Sequence, residues 1–271
     1  MVTADLRERF ERDGFVLPIR VLAPETAAAY AAAYERHERA GEIKDDSPGL
    51  KIHCVFRWAY EIATNPAVLD VVEQLIGPNI LVFGSRPWNK SPHDERYVAW
   101  HQDNSYYGLD PHDEVALWVA LTDSTLENGC MRYAPGSHRW GDQVHEIVGN
   151  PRNRLTRGQE ITTIDEASAV AGVLRAGEAA FHHERTVHGS RGNPTGTRRL
   201  GFQVNYIPTH VRSTIGRRGA LLARGVDTYG HWDADPVPRF DLDPLGLAAN
   251  EEATAVYYRN QTQVAETGAG G

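Results

Sequence analysis

Cysteine is scarce: the 271-residue chain holds two, Cys54 and Cys130. Two are too few for a disulfide scaffold, and neither sits in a C-x-x-C metal spacing, so both read as buried small side chains or free thiols. Long apolar runs are missing as well. Nothing approaches the roughly 20 residues of a membrane span, so no membrane partner is expected. The start, Met1-Val2-Thr3-Ala4-Asp5, shows no basic segment followed by an apolar one, which predicts a cytoplasmic protein. Basic charge is in deficit, with 28 Lys and Arg against 36 Asp and Glu, net −8. That balance disfavours nucleic acid phosphates, and the Arg217-Arg218 run is too short to reverse it. Repeats, coiled coils and low-complexity segments are also lacking, which argues against a structural or interaction protein. What is present is an ordinary globular balance, 41% hydrophobic and 24% charged, over a length that can bury a full core.

The chain changes character about a third of the way along. Residues 4–12 and 24–41 read as helices, the second with Pro24-Glu25 in its first turn and Gly41 after its end. Gly14-Phe15-Val16-Leu17-Pro18 reads as a short strand between them. Residues 66–76 place Val68, Leu69, Val72, Leu75 and Ile76 at helical spacing, stopped by Gly77-Pro78. From about residue 79 short apolar strands alternate with turns. Ile80–Phe83, Val115–Leu121, Gly172–Leu174, Ala179–Phe181 and Leu200–Ile207 are strands; Glu127-Asn128-Gly129, Ala134-Pro135-Gly136-Ser137, Arg175-Ala176-Gly177 and Gly192-Asn193-Pro194 are turns. Helices on a β-sandwich or barrel give an α+β class and one domain over 1–271. Residues 140–170 are polar and read as a long insertion, and the tail from about 262 as flexible.

On an extended strand residues i and i+2 share a face, so His-x-Asp or His-x-Glu can offer one ion a nitrogen and an oxygen. Twelve His and 36 acidic residues in 271 positions predict about 1.6 such pairs by chance; there are five. They are His93/Glu95, His101/Asp103, His112/Glu114, His182/Glu184 and His231/Asp233. His93 and His112 lie in charged, proline-containing loops and read as solvated. His182 precedes His183 in a strand-like stretch, so one of the two faces inward. His101/Asp103 follows the strand-forming Tyr97-Val98-Ala99-Trp100 and precedes a loop, Asn104 to Gly108. It is the favoured pair, with His231/Asp233 its rival. Two histidines and a carboxylate on one octahedral face suit iron(II), with three positions left for co-substrate and oxygen.

An ordered set of motifs carries a resemblance. Trp100-His101-Gln102-Asp103, Leu117–Asp123, Asn128–His138, Phe181-His182-His183, Thr186-Val187-His188-Gly189-Ser190, Asn193 and Arg198-Arg199 together resemble the phytanoyl-CoA dioxygenase family over about residues 80–207. The N-terminal strand and helix fit as well. The resemblance implies a double-stranded β-helix (jelly-roll, cupin-like) core over about 79–210, flanked by N-terminal helices. It implies iron(II) ligated by His101, Asp103 and His188. It places the distal carboxylate of 2-oxoglutarate on Arg199 rather than on Arg198, where a guanidinium can pair bidentately. Gln102, Trp118, Ser190 and Lys90 match positions that line the 2-oxoglutarate site. Trp118 also reads as a core aromatic, Asn128-Gly129 as a tight turn and Ser137-His138 as a turn cap.

The chemistry implied is oxidative decarboxylation of 2-oxoglutarate by O2 to succinate and CO2, coupled to hydroxylation of an unactivated carbon. Desaturation, cyclisation and epoxidation are the alternatives. Related halogenases carry alanine or glycine where this chain has Asp103, so the carboxylate argues against halogenation. A small metabolite or natural-product intermediate of secondary metabolism is the expected substrate, because no strong basic patch for a CoA group is visible. Asn104, Tyr106, Tyr107 and His210 are candidate pocket residues. Arg57, Trp58, Arg212, Arg217 and Arg218 could meet an anionic substrate or simply carry surface charge. The rivals are a cupin-type enzyme without 2-oxoglutarate, from which an Arg199 facing the metal cavity opposite the triad would discriminate, and a non-catalytic binding jelly roll, which the complete ligand set argues against.

Overall fold

Proline and glycine set most element ends, and the β-branched and aromatic runs between them form the strands. A computed structural model describes residues 5–44 and 50–268. In chain order the elements are α1 (Asp5–Asp13), β1 (Phe15–Arg20), α2 (Pro24–Arg39), α3 (Ile52–Val55), α4 (Arg57–Ala63), α5 (Pro66–Ile76), β2 (Ile80–Lys90), β3 (Val98–His101), α6 (Asn104–Tyr107), β4 (Leu109–Asp110), β5 (Val115–Ala120), β6 (Met131–Tyr133), β7 (Glu146–Ile147), β8 (Gln159–Glu160), β9 (Val170–Gly172), β10 (Glu178–His183), β11 (His188–Ser190), β12 (Arg199–Pro208), β13 (Arg212–Ser213), β14 (Gly219–Arg224), β15 (Asp233–Ala234) and α7 (Pro244–Gly268). They group into two compact units. The first comprises Met1–Asp45, Pro87–Asp103 and Val115–Gln203; the second comprises Asp46–Arg86, Asn104–Glu114 and Val204–Gly271.

In the first unit, strands in the order β1-β10-β5-β12-β2 form one sheet and β3-β11-β6-β9 another. β10 pairs antiparallel with β1 and with β5, and β11 pairs antiparallel with β3 and with β6. Both sheets feed one buried cluster: Phe15, Trp118, Ala120 and Ala180 from the larger, Met131 and Tyr133 from the smaller, with Leu174 beside them. Phe15 stacks on Tyr133 with ring centroids 4.9 Å apart. Two sheets closing on one core make the jelly roll, and the fold is α+β. Among the described residues the expected helix 4–12 runs Asp5–Asp13, and residue 4 lies outside them. The segment 140–170 contains only the β7–β8 hairpin (Glu146↔Glu160, Ile147↔Gln159) and the start of β9. The strand expected at Gly172–Leu174 sits two residues earlier, because Tyr133↔Val170 and Met131↔Gly172 set the register with β6.

The second unit holds α3 to α7 with strands in the order β12-β2-β14-β15. Its buried cluster is Leu81, Phe83, Leu109, Ile207, Val211, Ala220 and Trp232. α5 spans the expected Pro66–Ile76, with Asn65 capping it by accepting from the Ala67 amide. α7 continues through the segment read as a flexible tail as far as Gly268; residues 269–271 lie outside the described residues. No helix among the described residues is long and apolar enough to cross a membrane.

Candidate metal and co-substrate site

Register brings the three candidate ligands together. His188 on β11 lies directly opposite His101 on β3, and opposite Tyr133 of β6 on its other side. Asp103 follows β3 at once, its amide donating to the Glu184 carbonyl at 2.8 Å. One ligand atom from each of His101, Asp103 and His188 lies within 4.8 Å of the other two, and all three residues are buried. His101 Nδ1 stands 2.9 Å from the Ala99 carbonyl and 3.1 Å from that of His188, while His188 Nδ1 stands 2.9 Å from the Thr186 carbonyl. A neutral imidazole that donates through Nδ1 to such a carbonyl carries its lone pair on Nε2, and these two Nε2 atoms are the candidate ligand atoms. Both face one oxygen: Asp103 Oδ1 is 3.3 Å from His101 Nε2 and 4.0 Å from His188 Nε2. Burial, with His101 and His182 alongside, holds His188 well below the usual imidazole range and therefore neutral. Burial alone would raise Asp103, but the neighbouring His188, His101 and His182 outweigh it and hold the carboxyl well below its ordinary range. A neutral His188 imidazole and an ionised Asp103 carboxylate are the forms that ligate a cation.

Ser137 prepares this strand. Its hydroxyl donates to the Ala134 carbonyl at 2.6 Å and accepts from the Val187 amide at 2.8 Å, one residue before His188. That is the turn role expected of it.

A second buried group collects cations. Arg199, at the start of β12, is 1% exposed; its Nη1 donates to the Gly129 carbonyl at 2.8 Å and its guanidinium lies 5.0 Å from the Trp118 ring centre. Two glycines make this possible. Gly129 turns at φ +80°, and a Cβ there would meet the Arg191 carbonyl oxygen at 2.5 Å. Gly201, two residues along the same face as Arg199, passes so close to Trp118 that a Cβ would sit 2.0 Å from its ring. Lys90, fully buried, donates to the Ser190 and Arg191 carbonyls. Burial and the charges of Arg199 and Arg154 pull Lys90 down to about 6, and burial with Arg154 pulls Arg199 down to about 10. Arg198 points elsewhere, pairing with Glu38 at 2.7 Å.

Among the described residues Trp118 Nε1, Tyr133 Oη, Ser190 Oγ and Arg199 Nε are buried with no hydrogen-bond partner. Buried polar atoms are normally satisfied. Orphan donors beside the buried Arg199 guanidinium fit a small anion, as the three-ligand cluster fits a divalent metal. Gln102 is engaged differently. Its amide donates to the Gly141 and Arg185 carbonyls and accepts from the Gln143 amide, tying the 140–143 loop to the strand end. Strand alternation turns it away from 101 and 103.

The remaining candidates lie in the second unit. Tyr106 is buried, and Tyr107 Oη accepts from the Asn205 amide at 3.2 Å. Asn104 opens α6. His210 is exposed and paired with Asp113 at 2.9 Å. Arg212 pairs with Asp110 and Arg217 with Asp233; Arg218 donates to Ser213 and to the Tyr107 carbonyl. Arg57 donates to the Pro238 carbonyl, and Trp58 is buried. Glu114, the pair partner of His112, is fully buried and accepts from Asn205 at 2.6 Å, although the loop holding His112 was read as solvated. Asp233 of the rival pair is exposed. His53, Cys54 and Asp235 make a second cluster of metal-ligating types. There the Lys51 ammonium, 2.5 and 2.7 Å from the two Asp235 oxygens, already supplies the positive charge.

Sequence reasoning assigned no site role to His182, Gln203, Trp88 or Tyr133. His182 is 1% exposed with Nε2 3.6 Å from Asp103 Oδ2. Gln203 Nε2 donates to the same oxygen at 3.4 Å, and Gln203 Oε1 accepts from Trp88 Nε1. The tandem His182-His183 on a strand was a usable signal for the first; nothing local announces the others.

The chain belongs to the phytanoyl-CoA dioxygenase family, which it matches over residues 10–201. It is an enzyme of the iron(II)/2-oxoglutarate-dependent dioxygenase class. The solved structure titled non-heme monooxygenase ThoJ, apo form, is 37% identical, with a TM-score of 0.86, covering 97% of this chain and all of that one. CytC3 with Fe(II) and alpha-ketoglutarate is 25% identical, with a TM-score of 0.67, over 90% of this chain and 97% of that one. The probable alpha-ketoglutarate-dependent hypophosphite dioxygenase of Stutzerimonas stutzeri is 27% identical over 60% of this chain; the match spans 58% of that protein's length.

Proposed function

We propose that this protein hydroxylates an unactivated carbon of a small metabolite or natural-product intermediate, consuming 2-oxoglutarate and O2 and releasing succinate and CO2. In this reading His101 Nε2, Asp103 Oδ1 and His188 Nε2 hold iron(II), and Arg199 pairs with the distal carboxylate of 2-oxoglutarate. Trp118, Ser190, Tyr133 and Lys90 line the co-substrate. The bound iron supplies oxygen activation coupled to decarboxylation. The chain's own residues do the rest. Backbone carbonyls fix the imidazole tautomers, Trp118 screens the guanidinium, and the buried jelly-roll interior excludes water. The observation that carries the reading is the buried three-ligand cluster, with Asp103 Oδ1 facing both Nε2 atoms, in a core that also holds orphan donors beside the buried Arg199 guanidinium. A carboxylate at position 103 fills the third protein ligand position and supports hydroxylation over halogenation. Its test is succinate formation by iron-loaded protein with 2-oxoglutarate, O2 and ascorbate, with and without a metabolite panel. Iron-dependent succinate that rises with one compound, and is absent in His101→Ala, is the expected result. Failure of the iron-loaded protein to bind 2-oxoglutarate would overturn the proposal.

A further inference from the structure

His182 stands out because the site as described gives it nothing to do. It lies on β10, where it pairs with Ala116 of β5, and is 1% exposed. Its ring packs 4.5 Å from that of His188 and 5.5 Å from that of Tyr133. Neither ring nitrogen has a hydrogen-bond partner among the described residues. A buried imidazole N–H left unsatisfied costs folding free energy, and a phenylalanine would fill the same volume without that cost. Among the groups it faces, the ionised acceptor is Asp103, whose Oδ2 lies 3.6 Å from His182 Nε2.

The two oxygens of Asp103 are treated differently. Oδ1 faces the Nε2 atoms of His101 and His188. Oδ2 faces His182, and receives the Gln203 amide at 3.4 Å. Gln203 cannot present its oxygen there, because the Trp88 indole N–H donates to that oxygen and fixes the amide orientation. A bidentate carboxylate would spend two coordination positions. One held through Oδ2 spends only one, and leaves three positions of an octahedron for co-substrate and oxygen.

We propose that His182 is a positioning residue: its Nε2–H holds Asp103 Oδ2, with Gln203, so that Asp103 ligates through Oδ1 alone. This rests on the metal-site reading above. The test is titration of the metal-free full-length protein with Co(II), followed by competition with a chromophoric chelator and by the cobalt visible spectrum. No turnover is needed. Wild type should bind one Co(II), and His182→Phe should bind it about 10- to 100-fold more weakly, the usual cost of losing a partner behind a ligand. His182→Gln, which keeps an N–H donor, should stay within about threefold of wild type. The Phe variant should also shift the cobalt bands, and the Gln variant should not. Cooperative urea unfolding certifies each variant, with His182→Leu replacing Phe if Phe does not fold. Wild-type affinity in the Phe or Leu variant, or equal losses in Phe and Gln, would overturn the proposal and leave the metal site standing. Absence of Co(II) binding by wild type would instead overturn the metal-site reading.

Discussion

Lys90 should take up a proton when 2-oxoglutarate binds. It is fully buried, and burial with the neighbouring charges of Arg199 and Arg154 brings it down to about 6. At about pH 7.5 a group of that pKa carries only about 0.03 of a proton. A dianion beside it reverses the balance, since an opposite charge within about 4–6 Å favours the protonated form. If the pKa returns toward the ordinary lysine value, about 0.9 of a proton enters per ligand bound. Titration calorimetry of the metal-loaded protein with 2-oxoglutarate, in two buffers of different ionisation enthalpy, reads that number directly. Lys90→Met should reduce it to near zero. The sign of the stability effect follows from the same shift. The folded pKa is below the unfolded one, so between about 6 and 10.5 the unfolded chain binds more protons and stability rises with pH. In Lys90→Met that rise should flatten. A wild-type proton count near zero, or an equal count in Lys90→Met, would refute the reasoning.

Two further substitutions probe the co-substrate pocket. Gly201→Ala puts a Cβ 2.0 Å from the Trp118 ring, where carbon contacts need about 3.5 Å, inside a core that leaves Trp118 1% exposed. Overpacking of this kind should cost about 1–3 kcal/mol in urea unfolding, and Trp118→Phe in the same chain should recover part of it; strictly additive losses would contradict the contact. Arg199→Lys keeps a charge but loses the two-pronged donor, so 2-oxoglutarate should bind about 10- to 100-fold more weakly while Co(II) affinity is unchanged. Equal loss of both affinities would mean that Arg199 supports the fold rather than the ligand.

What the sequence made legible was whatever depends on neighbours along the chain. Helix α5 was legible from the spacing of Val68, Leu69, Val72, Leu75 and Ile76 and the stop at Gly77-Pro78, and the strand-forming run before His101 marked the pair at its end. What stayed hidden depends on strand order. Arg198 and Arg199 are equivalent by composition; the side of β12 that each takes sends one to Glu38 and the other onto Trp118. Gln102 sits among recognised motif residues, yet alternation turns its amide toward the 140–143 loop. Gln203 reaches Asp103 from 100 positions away, and Trp88 reaches Gln203 from 115. The second contact exists because β2 and β12 are neighbours in the larger sheet, and the first joins that sheet to the end of β3 in the smaller one, facts that no local pattern carries. The candidate metal ligands could be nominated from motifs. The residues proposed to set how the carboxylate is presented could not, because their neighbours are set only once the sheets have closed on each other.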